Sequence, residues 1–336
     1  MKILVTGGAG YIGSHTCVEL LKNGHDVTAA DNFANSDMQA IDGVKKITGK
    51  NLEFYETDLR NETELNDIFV QNPFDCVIHF AGLKAVAESV AKPMLYYENN
   101  LVATLNLCRA MKNYGVKRII FSSSATVYKG TNPMPLGEDA ELGAINPYGW
   151  SKFMCEQILR DTAAAEGDWS VVLLRYFNPV GAHESGIIGE NPRGIPNNLM
   201  PFIAQTAGGI HAKVNVFGND YATPDGTGIR DYIHVEDLAK GHVNAMDFAF
   251  NNPGCEVFNL GTGRGVSVLE MIETFKKVNK VNVPYEIAAR RPGDNAEVFA
   301  NPAKAAKILG FKAEKNLEDM CRDAWKYFHP PGAETV

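Results

Sequence analysis

Short apolar runs alternate with longer segments of helical spacing through the first half of the chain. The strand-like runs are residues 2–6, 26–30, 52–56, 76–80, 118–122 and 171–174. The segments with helical spacing are residues 12–21, 62–71, 94–114 and 148–166. Each strand-like run is almost continuously apolar, so the pattern predicts a parallel sheet covered by helices on both faces. The expected fold class is therefore α/β, with a doubly wound parallel sheet.

The pattern changes after residue 178, and residues 181–228 are rich in Gly, Pro and Asn. The later predicted elements are a strand at 214–217, a strand running into a helix near His234, a strand at 257–260 that rejoins the first sheet, and helices at 268–279 and 317–328. We therefore expect two domains. The first comprises residues 1–178, with about 230–264 returning to it, and the second, smaller α/β domain comprises residues 179–336.

Three glycines, Gly7, Gly10 and Gly13, follow the first predicted strand and open the first predicted helix. Gly7 permits a tight turn, and Gly13 lets the helix pack closely on the strand. Gly10 lets the backbone approach a pyrophosphate at the helix N-terminus, where free N–H groups favour anions. Strand, glycine turn and helix together are typical of a dinucleotide-binding Rossmann fold, although such a turn can also join a strand to a helix without binding a ligand.

Polar residues follow several of the predicted strands. Asp31 ends the second strand, at the distance from the glycines that suits a carboxylate on an adenosine ribose. That carboxylate would repel a 2′-phosphate, so NAD is the expected cofactor rather than NADP. Because parallel strands end at the same edge of a sheet, the residues after other strands are expected to join the same site. These are Asp58, residues 80–84 and residues 122–124.

Tyr148 and Lys152 are four residues apart at the start of a predicted helix, which places them one turn apart on one face. A phenol has an ordinary pKa of about 10, and a nearby ammonium lowers it. The pair could therefore accept a proton from a substrate hydroxyl. On spacing alone, the pair could equally be two surface residues of a helix.

Composition narrows the class of protein further. The net charge of −8 argues against a nucleic-acid partner or an anionic membrane surface. The six cysteines and eight histidines are scattered without metal-ligand spacing, so no metal is expected and the thiols suit a reducing compartment. No signal-peptide core and no apolar run approaching 18 residues are present. The expected location is cytoplasmic, without membrane association.

Three motifs occur in order: the glycine motif, Phe121-Ser-Ser-Ser-Ala-Thr-Val-Tyr128, and Tyr148-x-x-x-Lys152. With them the chain resembles the extended short-chain dehydrogenase/reductase family, and within it the UDP-sugar 4-epimerases. The likeness runs nearly from end to end. It is also carried by residues 6–16, 79–86, 174–182, 195–201, 217–221 and 228–235.

This resemblance implies an isomerase of galactose metabolism that interconverts UDP-galactose and UDP-glucose. NAD would take hydride from C4 while Tyr148 takes the 4-hydroxyl proton; the 4-keto sugar would then turn and receive both back on its other face. Ser124 would hydrogen-bond the same hydroxyl, and Lys152 would hold the nicotinamide ribose and lower the pKa of Tyr148. A homodimer is implied, through the helices predicted at 94–114 and 148–166.

The resemblance also assigns residues to the site. The catalytic residues are Ser124, Tyr148 and Lys152. The expected cofactor-binding residues are Gly7, Gly10, Tyr11, Ile12, Gly13, Asp31, Asn32, Ser36, Asp58, Leu59, Phe80, Ala81, Gly82, Lys84, Asn99, Ser124, Tyr148, Lys152 and Phe177. The expected substrate-binding residues are Ser124, Thr126, Tyr148, Asn178, Asn198, Leu199, Asn215, Val216, Phe217, Arg230, Tyr232, Arg291, Asp294 and Val298.

Some of these assignments depend on their surroundings. Arg230 and Arg291 suit bidentate contact with a diphosphate, but without the neighbouring motifs they would be taken for surface arginines. Asn198 also suits a turn before Pro201. Val298 stands where family members carry a large Tyr or a small residue such as Cys. Since Val is closer to Cys in volume, UDP-GlcNAc and UDP-GalNAc are expected as additional substrates.

Two other classes of protein remain open. A nucleotide-sugar dehydratase or oxidoreductase shares the scaffold, but dehydratases carry an Asp-Glu pair where this chain has Ala125 and Thr126. A non-catalytic NAD-sensing protein would have no reason to keep Ser124, Tyr148 and Lys152 together. Added NAD would drive net redox chemistry in a dehydrogenase, and a sensor would bind without turnover.

Overall fold

The structure is a computed structural model that describes residues 1–291 and 293–330. Pro292 and residues 331–336, the end of the predicted second domain, lie outside the described residues. The strands are β1 (Lys2–Thr6), β2 (Asp26–Asp31), β3 (Glu53–Glu56), β4 (Cys76–His79), β5 (Arg118–Ser122), β6 (Ser170–Tyr176), β7 (Asn178–Val180), β8 (Val214–Phe217), β9 (Ile229–His234), β10 (Gly254–Leu260), β11 (Gly265–Ser267), β12 (Tyr285–Ala288) and β13 (Glu297–Val298). The helices are α1 (Tyr11–Lys22), α2 (Met38–Thr48), α3 (Glu62–Gln71), α4 (Val86–Ala91), α5 (Pro93–Asn113), α6 (Pro147–Glu166), α7 (Leu199–Ala207), α8 (Val235–Asn251), α9 (Val268–Asn279), α10 (Ala303–Leu309) and α11 (Leu317–Phe328).

The larger sheet has seven parallel strands in the order β3-β2-β1-β4-β5-β6-β10. Successive residues of β1 face opposite sides: Ile3 and Val5 join the core beneath α1, α2 and α8, whereas Leu4 joins the core beneath α3, α5 and α6. Both faces are therefore covered, which explains why the inner strands are almost continuously apolar, whereas the edge strand β3 begins and ends with an exposed glutamate. The predicted doubly wound α/β fold is confirmed.

The last strand of this sheet comes from late in the chain. β10 pairs in parallel with β6 along its full length, with Val257 opposite Leu173. The strand predicted at 257–260 does rejoin the first sheet. β9 does not, because it pairs with β7, β11 and β13 in a separate four-stranded sheet. The chain thus returns to the larger sheet through α8 and β10.

A second, smaller α/β unit holds that four-stranded sheet and the parallel pair of β8 and β12. Helices α7, α9 and α11 pack around a core of their own, which includes Val216, Phe275 and Met320. The second unit is smaller, as expected, and β9 places its polar residues near the carboxyl edge of the larger sheet through the pairing of β9 with β7.

Four helices, α2, α4, α7 and α10, were not predicted. α2 contains Gly43, where a side chain would overlap Ile188, and α7 has Pro201 in its first turn. Glycine and proline weaken a helical signal in the sequence, although proline is tolerated in a first turn because the N–H groups there have no partner in the helix. α4 has 6 residues and α10 has 7, so each is too short to show a helical period.

Candidate active site

The glycine turn after β1 is closed to side chains. Gly7 has φ +70°, and a Cβ there would lie 2.8 Å from the backbone nitrogen of Ala81. A Cβ at Gly13 would overlap the carbonyl oxygen of Gly7. Gly10 precedes α1 without a capping side chain, so Tyr11 and Ile12 begin the helix with their N–H groups free of a side-chain cap. This cradle of bare backbone at a helix N-terminus fits the pyrophosphate of a dinucleotide.

Asp31 ends β2 beside that turn. Its carboxylate accepts hydrogen bonds from the backbone nitrogens of Ala9 (3.1 Å) and Phe33 (2.9 Å) and from the hydroxyl of Ser36 (2.7 Å). Burial raises the pKa of Asp31, and these hydrogen bonds act against the rise. A carboxylate held in this way next to the cradle fits an adenosine ribose.

The residues after β3 adjoin this group. Asn32 donates from Nδ2 to Oδ2 of Asp58 (3.2 Å). Asp58 pairs with Arg60 at 2.8 Å, and this contact lowers the pKa of Asp58 to about 2. Leu59 is buried behind it. The predicted adenosine-side residues thus come together at the carboxyl ends of β2 and β3.

Other predicted cofactor residues follow β4. Phe80 continues the strand, its N–H donating to the carbonyl oxygen of Thr6 (3.0 Å). Lys84 is placed by an acidic residue that the sequence analysis missed, since its Nζ lies 3.0 Å from Oε1 of Glu190. Asn99 is half-buried on α5. Ala81 and Gly82 come directly after Phe80, and Phe177 lies between β6 and β7.

The catalytic candidates meet where α6 approaches the turn after β5. The side chain of Asn146 accepts the N–H of Gly149 (2.8 Å) and caps α6 just ahead of Tyr148. A Cβ at Gly149 would lie 2.7 Å from the carbonyl oxygen of Thr126, so only glycine allows this close approach. The Ser124 hydroxyl accepts hydrogen bonds from the backbone nitrogen (3.2 Å) and hydroxyl (3.0 Å) of Thr126.

Electrostatics at this centre differ from the expectation in one respect. Burial raises the pKa of Tyr148, and hydrogen bonding with Ser124 acts against the rise. Lys152 is buried, its pKa is lowered to about 8 by burial, and its Nζ donates to the carbonyl oxygen of Ser122 (2.7 Å). Burial therefore outweighs the groups that lower the pKa of Tyr148 in this arrangement, and the expected lowering of that pKa by Lys152 stays a prediction.

A buried ion pair that the sequence analysis missed braces the catalytic centre. Arg175 at the end of β6 donates from Nε (2.8 Å) and Nη2 (2.6 Å) to the carboxylate of Glu156 on α6. Ser123 donates to the same carboxylate. Since Glu156 and Arg175 are almost fully buried, losing one partner would leave an uncompensated charge. The pair therefore fixes α6 against the ends of β5 and β6.

The substrate-side candidates form one charged group. Arg230 and Arg291 both reach Asp294, at 3.4 Å and 2.8 Å. The guanidinium of Arg291 also lies over the ring of Phe217, 4.9 Å from its centroid. Val298 lies opposite Arg230 in the pairing of β13 with β9 and is half-buried.

Other predicted substrate residues lie around this group. Asn178 lies opposite Tyr232 in the pairing of β7 with β9. Burial raises the pKa of Tyr232 to about 12, and the nearby arginines act against that rise. Asn215 is exposed on β8, but the side chain of Val216 points into the second core, so Val216 could offer only its backbone. Asn198 and Leu199 start α7 apart from the arginines, with Asn198 Nδ2 donating to Glu190 (2.7 Å).

One acidic group in the described residues has spacing that could hold a metal ion: His234, Glu236 and Asp323, all buried. The ammonium of Lys315 lies 3.0 Å from Glu236 and 3.6 Å from Asp323. The charge of these carboxylates is thus partly offset from within the chain, and the absence of a metal stays a prediction.

A Rossmann sheet with a glycine cradle and a Ser–Tyr–Lys centre defines a dinucleotide-dependent enzyme of the short-chain dehydrogenase/reductase class. The sequence matches the NAD dependent epimerase/dehydratase family over residues 3–261, and the chain belongs to this family. It is 59% identical to the UDP-glucose 4-epimerase of Bacillus subtilis (strain 168), over 97% of this chain and 96% of that one.

Solved structures agree in fold. The UDP-glucose-4-epimerase of Stenotrophomonas maltophila, with bound NAD and formylated UDP-arabinopyranose, superposes with a TM-score of 0.96 at 48% identity, over 98% of each chain. The enzyme of Bifidobacterium longum in complex with NAD+ and UDP gives 0.94 at 53% identity, over 99% of this chain and 100% of that one. The chain is accordingly an isomerase of the UDP-glucose 4-epimerase type that uses NAD. Within residues 1–291 and 293–330, no helix has both the length and the apolar character to cross a bilayer.

Proposed function

We propose that the protein inverts C4 of UDP-galactose and UDP-glucose through a 4-keto intermediate, with residues 1–178 and the returning α8 and β10 binding NAD and the remainder binding the UDP-sugar. One observation carries this proposal: the phenol of Tyr148 on α6 is hydrogen-bonded with the Ser124 hydroxyl just after β5, at the carboxyl edge of the larger sheet. One reusable acid–base group suits a reaction in which the same proton leaves and returns.

Each side chain has a distinct task in the proposed reaction. Ser124 holds the 4-hydroxyl by a hydrogen bond, and Tyr148 takes its proton and later returns it. NAD, when bound, accepts the C4 hydride and gives it back. Lys152 holds the ribose of the cofactor from its position against the Ser122 carbonyl, and Thr126 orients Ser124 through their hydroxyl contact.

The UDP portion supplies the binding energy in this proposal. Arg230 and Arg291 provide planar guanidinium groups suited to a diphosphate, and both already share one acidic neighbour, Asp294. Anchoring the nucleotide in this way leaves the hexose free to turn and present its other face. The remaining proposed contacts are Asn178, Asn198, Leu199, Asn215, Val216, Phe217 and Tyr232.

Purified protein given UDP-galactose, without added cofactor, should form UDP-glucose of the same mass. The expected cycle regenerates NAD, so denatured protein should release close to one dinucleotide per chain. A product lacking one water would instead identify a dehydratase, and binding of NAD without turnover would identify a sensor. A preparation that needs fresh NAD for every turnover would contradict the proposal.

The substrate range is proposed to include UDP-GlcNAc and UDP-GalNAc. Val298 is half-buried and packs beside Phe177 and Tyr128, between the cofactor side and the substrate arginines. A valine there leaves more space for a 2-substituent than a tyrosine would, but it is stiff about χ1. We therefore expect the acetylated pair to react more slowly than the plain pair.

The assembly is proposed to be a homodimer built on α5 and α6. Both helices expose apolar side chains, namely Met94, Leu95, Leu105, Trp150 and Met154. Such a patch suits a protein interface. Sedimentation should show a dimer for wild type and a weakened dimer for Met154→Glu. A monomeric wild type would contradict the interface.

The proposed location is cytoplasmic, within galactose metabolism. All six cysteines are free, which supports a reducing compartment.

A further inference from the structure

Residues 181–198, here called the bridging segment, connect β7 to α7 and lie against both halves of the molecule. The first part folds back on itself, with Ala182 and Gly189 forming an antiparallel bridge. Ile188 is buried against α2, where Gly43 leaves no room for a side chain. The bridging segment is therefore anchored before it reaches the cleft.

The bridging segment then contacts the ends of three strands of the larger sheet. The Tyr11 hydroxyl, after β1, donates to the carbonyl oxygen of Gly181 (2.7 Å). Arg193 donates to the carbonyl oxygen of Ser36, after β2 (2.7 Å). Glu190 accepts from Lys84, after β4. These contacts span the edge at which the proposed cofactor residues gather, so the segment covers that edge.

Glu190 joins two residues proposed to serve different ligands. Its Oε1 accepts from Nζ of Lys84 (3.0 Å), on the cofactor side, and from Nδ2 of Asn198 (2.7 Å), on the substrate side. The Glu190 side chain is only 9% exposed, whereas that of Lys84 is 47% exposed. The carboxylate is thus the fixed member of the trio, and both partners depend on it for their position.

We propose that Glu190 is a positioning residue that couples retention of NAD to binding of UDP. It holds Lys84 and Asn198 on one oxygen, so a nucleotide that engages Asn198 also steadies Lys84 and the bridging segment over the cofactor. By thermodynamic linkage, UDP that strengthens cofactor binding is itself bound more tightly when the cofactor is present. This inference rests on the proposed function, because it takes NAD and UDP as the two ligands.

The rate at which NAD leaves the purified protein tests the coupling. Wild type should release NAD slowly, and more slowly still with saturating UDP. Glu190→Gln keeps the size of the side chain but not its charge. NAD release should be roughly tenfold faster, the scale of one lost charge-assisted hydrogen bond, and UDP should no longer slow it. Glu190→Asp should restore part of the UDP effect.

Glu184→Gln is the matched control. Glu184 lies on the same segment, and its side chain is 70% exposed and 3.8 Å from Lys315. The Glu184→Gln variant should release NAD at the wild-type rate, and UDP should slow that release as much as it does in wild type. The inference is overturned if UDP leaves wild-type release unchanged, or if Glu190→Gln releases NAD like wild type with and without UDP. Failure of the proposed function would look different: wild type would hold NAD but fail to form UDP-glucose.

Discussion

The cofactor side and the substrate side of the cleft are built by different means. On the cofactor side, bare backbone at Gly7 and Gly13 and a buried lysine, Lys152, set the geometry. On the substrate side, Arg230 and Arg291 set it with charged side chains that are partly exposed and already paired with Asp294. One side is fixed by packing, and the other is held by interactions that a ligand can replace.

This difference separates chemistry from binding. Packing holds a group where it is needed at no cost at the moment of reaction, which suits a reusable acid–base residue. Exposed ion pairs exchange partners at little cost, which suits a site that must take up and release a diphosphate. Changes on the cofactor side should therefore affect turnover, and changes on the substrate side should affect affinity.

The largest effect is expected for Tyr148→Phe, which removes one hydroxyl. Turnover should fall roughly 10²-fold to 10⁴-fold, the usual scale for a positioned acid or base, while UDP affinity stays near wild type. Steady-state kinetics and titration with UDP would measure the two effects. A parallel loss of UDP affinity would show that the two sides of the cleft are not separable.

A large but selective effect is expected for Val298→Tyr, at the junction of the two sides. The ring should exclude an N-acetyl group, so activity on UDP-GalNAc should be lost while activity on UDP-galactose remains. Val298→Leu is the control for added volume without a ring. If wild type processes UDP-galactose but not UDP-GalNAc, another residue closes the site and the proposed substrate range is wrong.

Lys152→Met tests the cost of the buried ammonium. The pKa of Lys152 is about 8 in the folded protein, below its ordinary value of 10.5, so the unfolded chain binds more protons between these values. Wild type should gain stability relative to the variant as pH rises from about 8 to 10.5, by roughly 3 kcal/mol in the free energy of unfolding. Denaturant unfolding of both proteins across this range would measure the difference; parallel pH profiles would contradict it.

The smallest effect is expected for Asp294→Asn. Removing its charge frees Arg230 and Arg291 for the ligand, so UDP should bind roughly three- to tenfold more tightly at low ionic strength, and the gain should shrink with added salt. Asp220→Asn is the control, since Asp220 pairs with Arg290 instead (2.6 Å). Weaker binding by Asp294→Asn would mean that the carboxylate contacts the ligand directly, which is the role that the family resemblance implies for Asp294.

The parts of the molecule that could be predicted are those with a local signal. The inner strands of the larger sheet are almost continuously apolar, and the glycine motif and the Tyr148–Lys152 spacing lie within one short segment each. Arg291 and Asp294 are also near neighbours in sequence. Such patterns specify local geometry directly.

The parts that could not be predicted depend on distant contacts or on interrupted patterns. Glu190 is one of two acids in the glycine- and proline-rich bridging segment, and its partner Lys84 is 106 residues away. Glu156 lies on a helix whose pattern suggests nothing unusual, and the partners that satisfy its buried carboxylate, Arg175 and Ser123, lie elsewhere in the chain. The contact of Lys152 with the carbonyl oxygen of Ser122 could not be predicted for the same reason, since it depends on where β5 ends.

The late position of β10 has a consequence for synthesis of the chain. β6 ends at Tyr176, but the strand that covers its open edge ends at Leu260, roughly 80 residues later. At about 5–20 residues per second, a ribosome needs roughly 4 to 16 s to make that stretch. During this time the apolar edge of β6 stands open to neighbouring nascent chains. The enzyme's need for chaperones should therefore be greatest before residue 260 has emerged, and a stop codon between β6 and β10 should give aggregates in place of a free-standing cofactor-binding half.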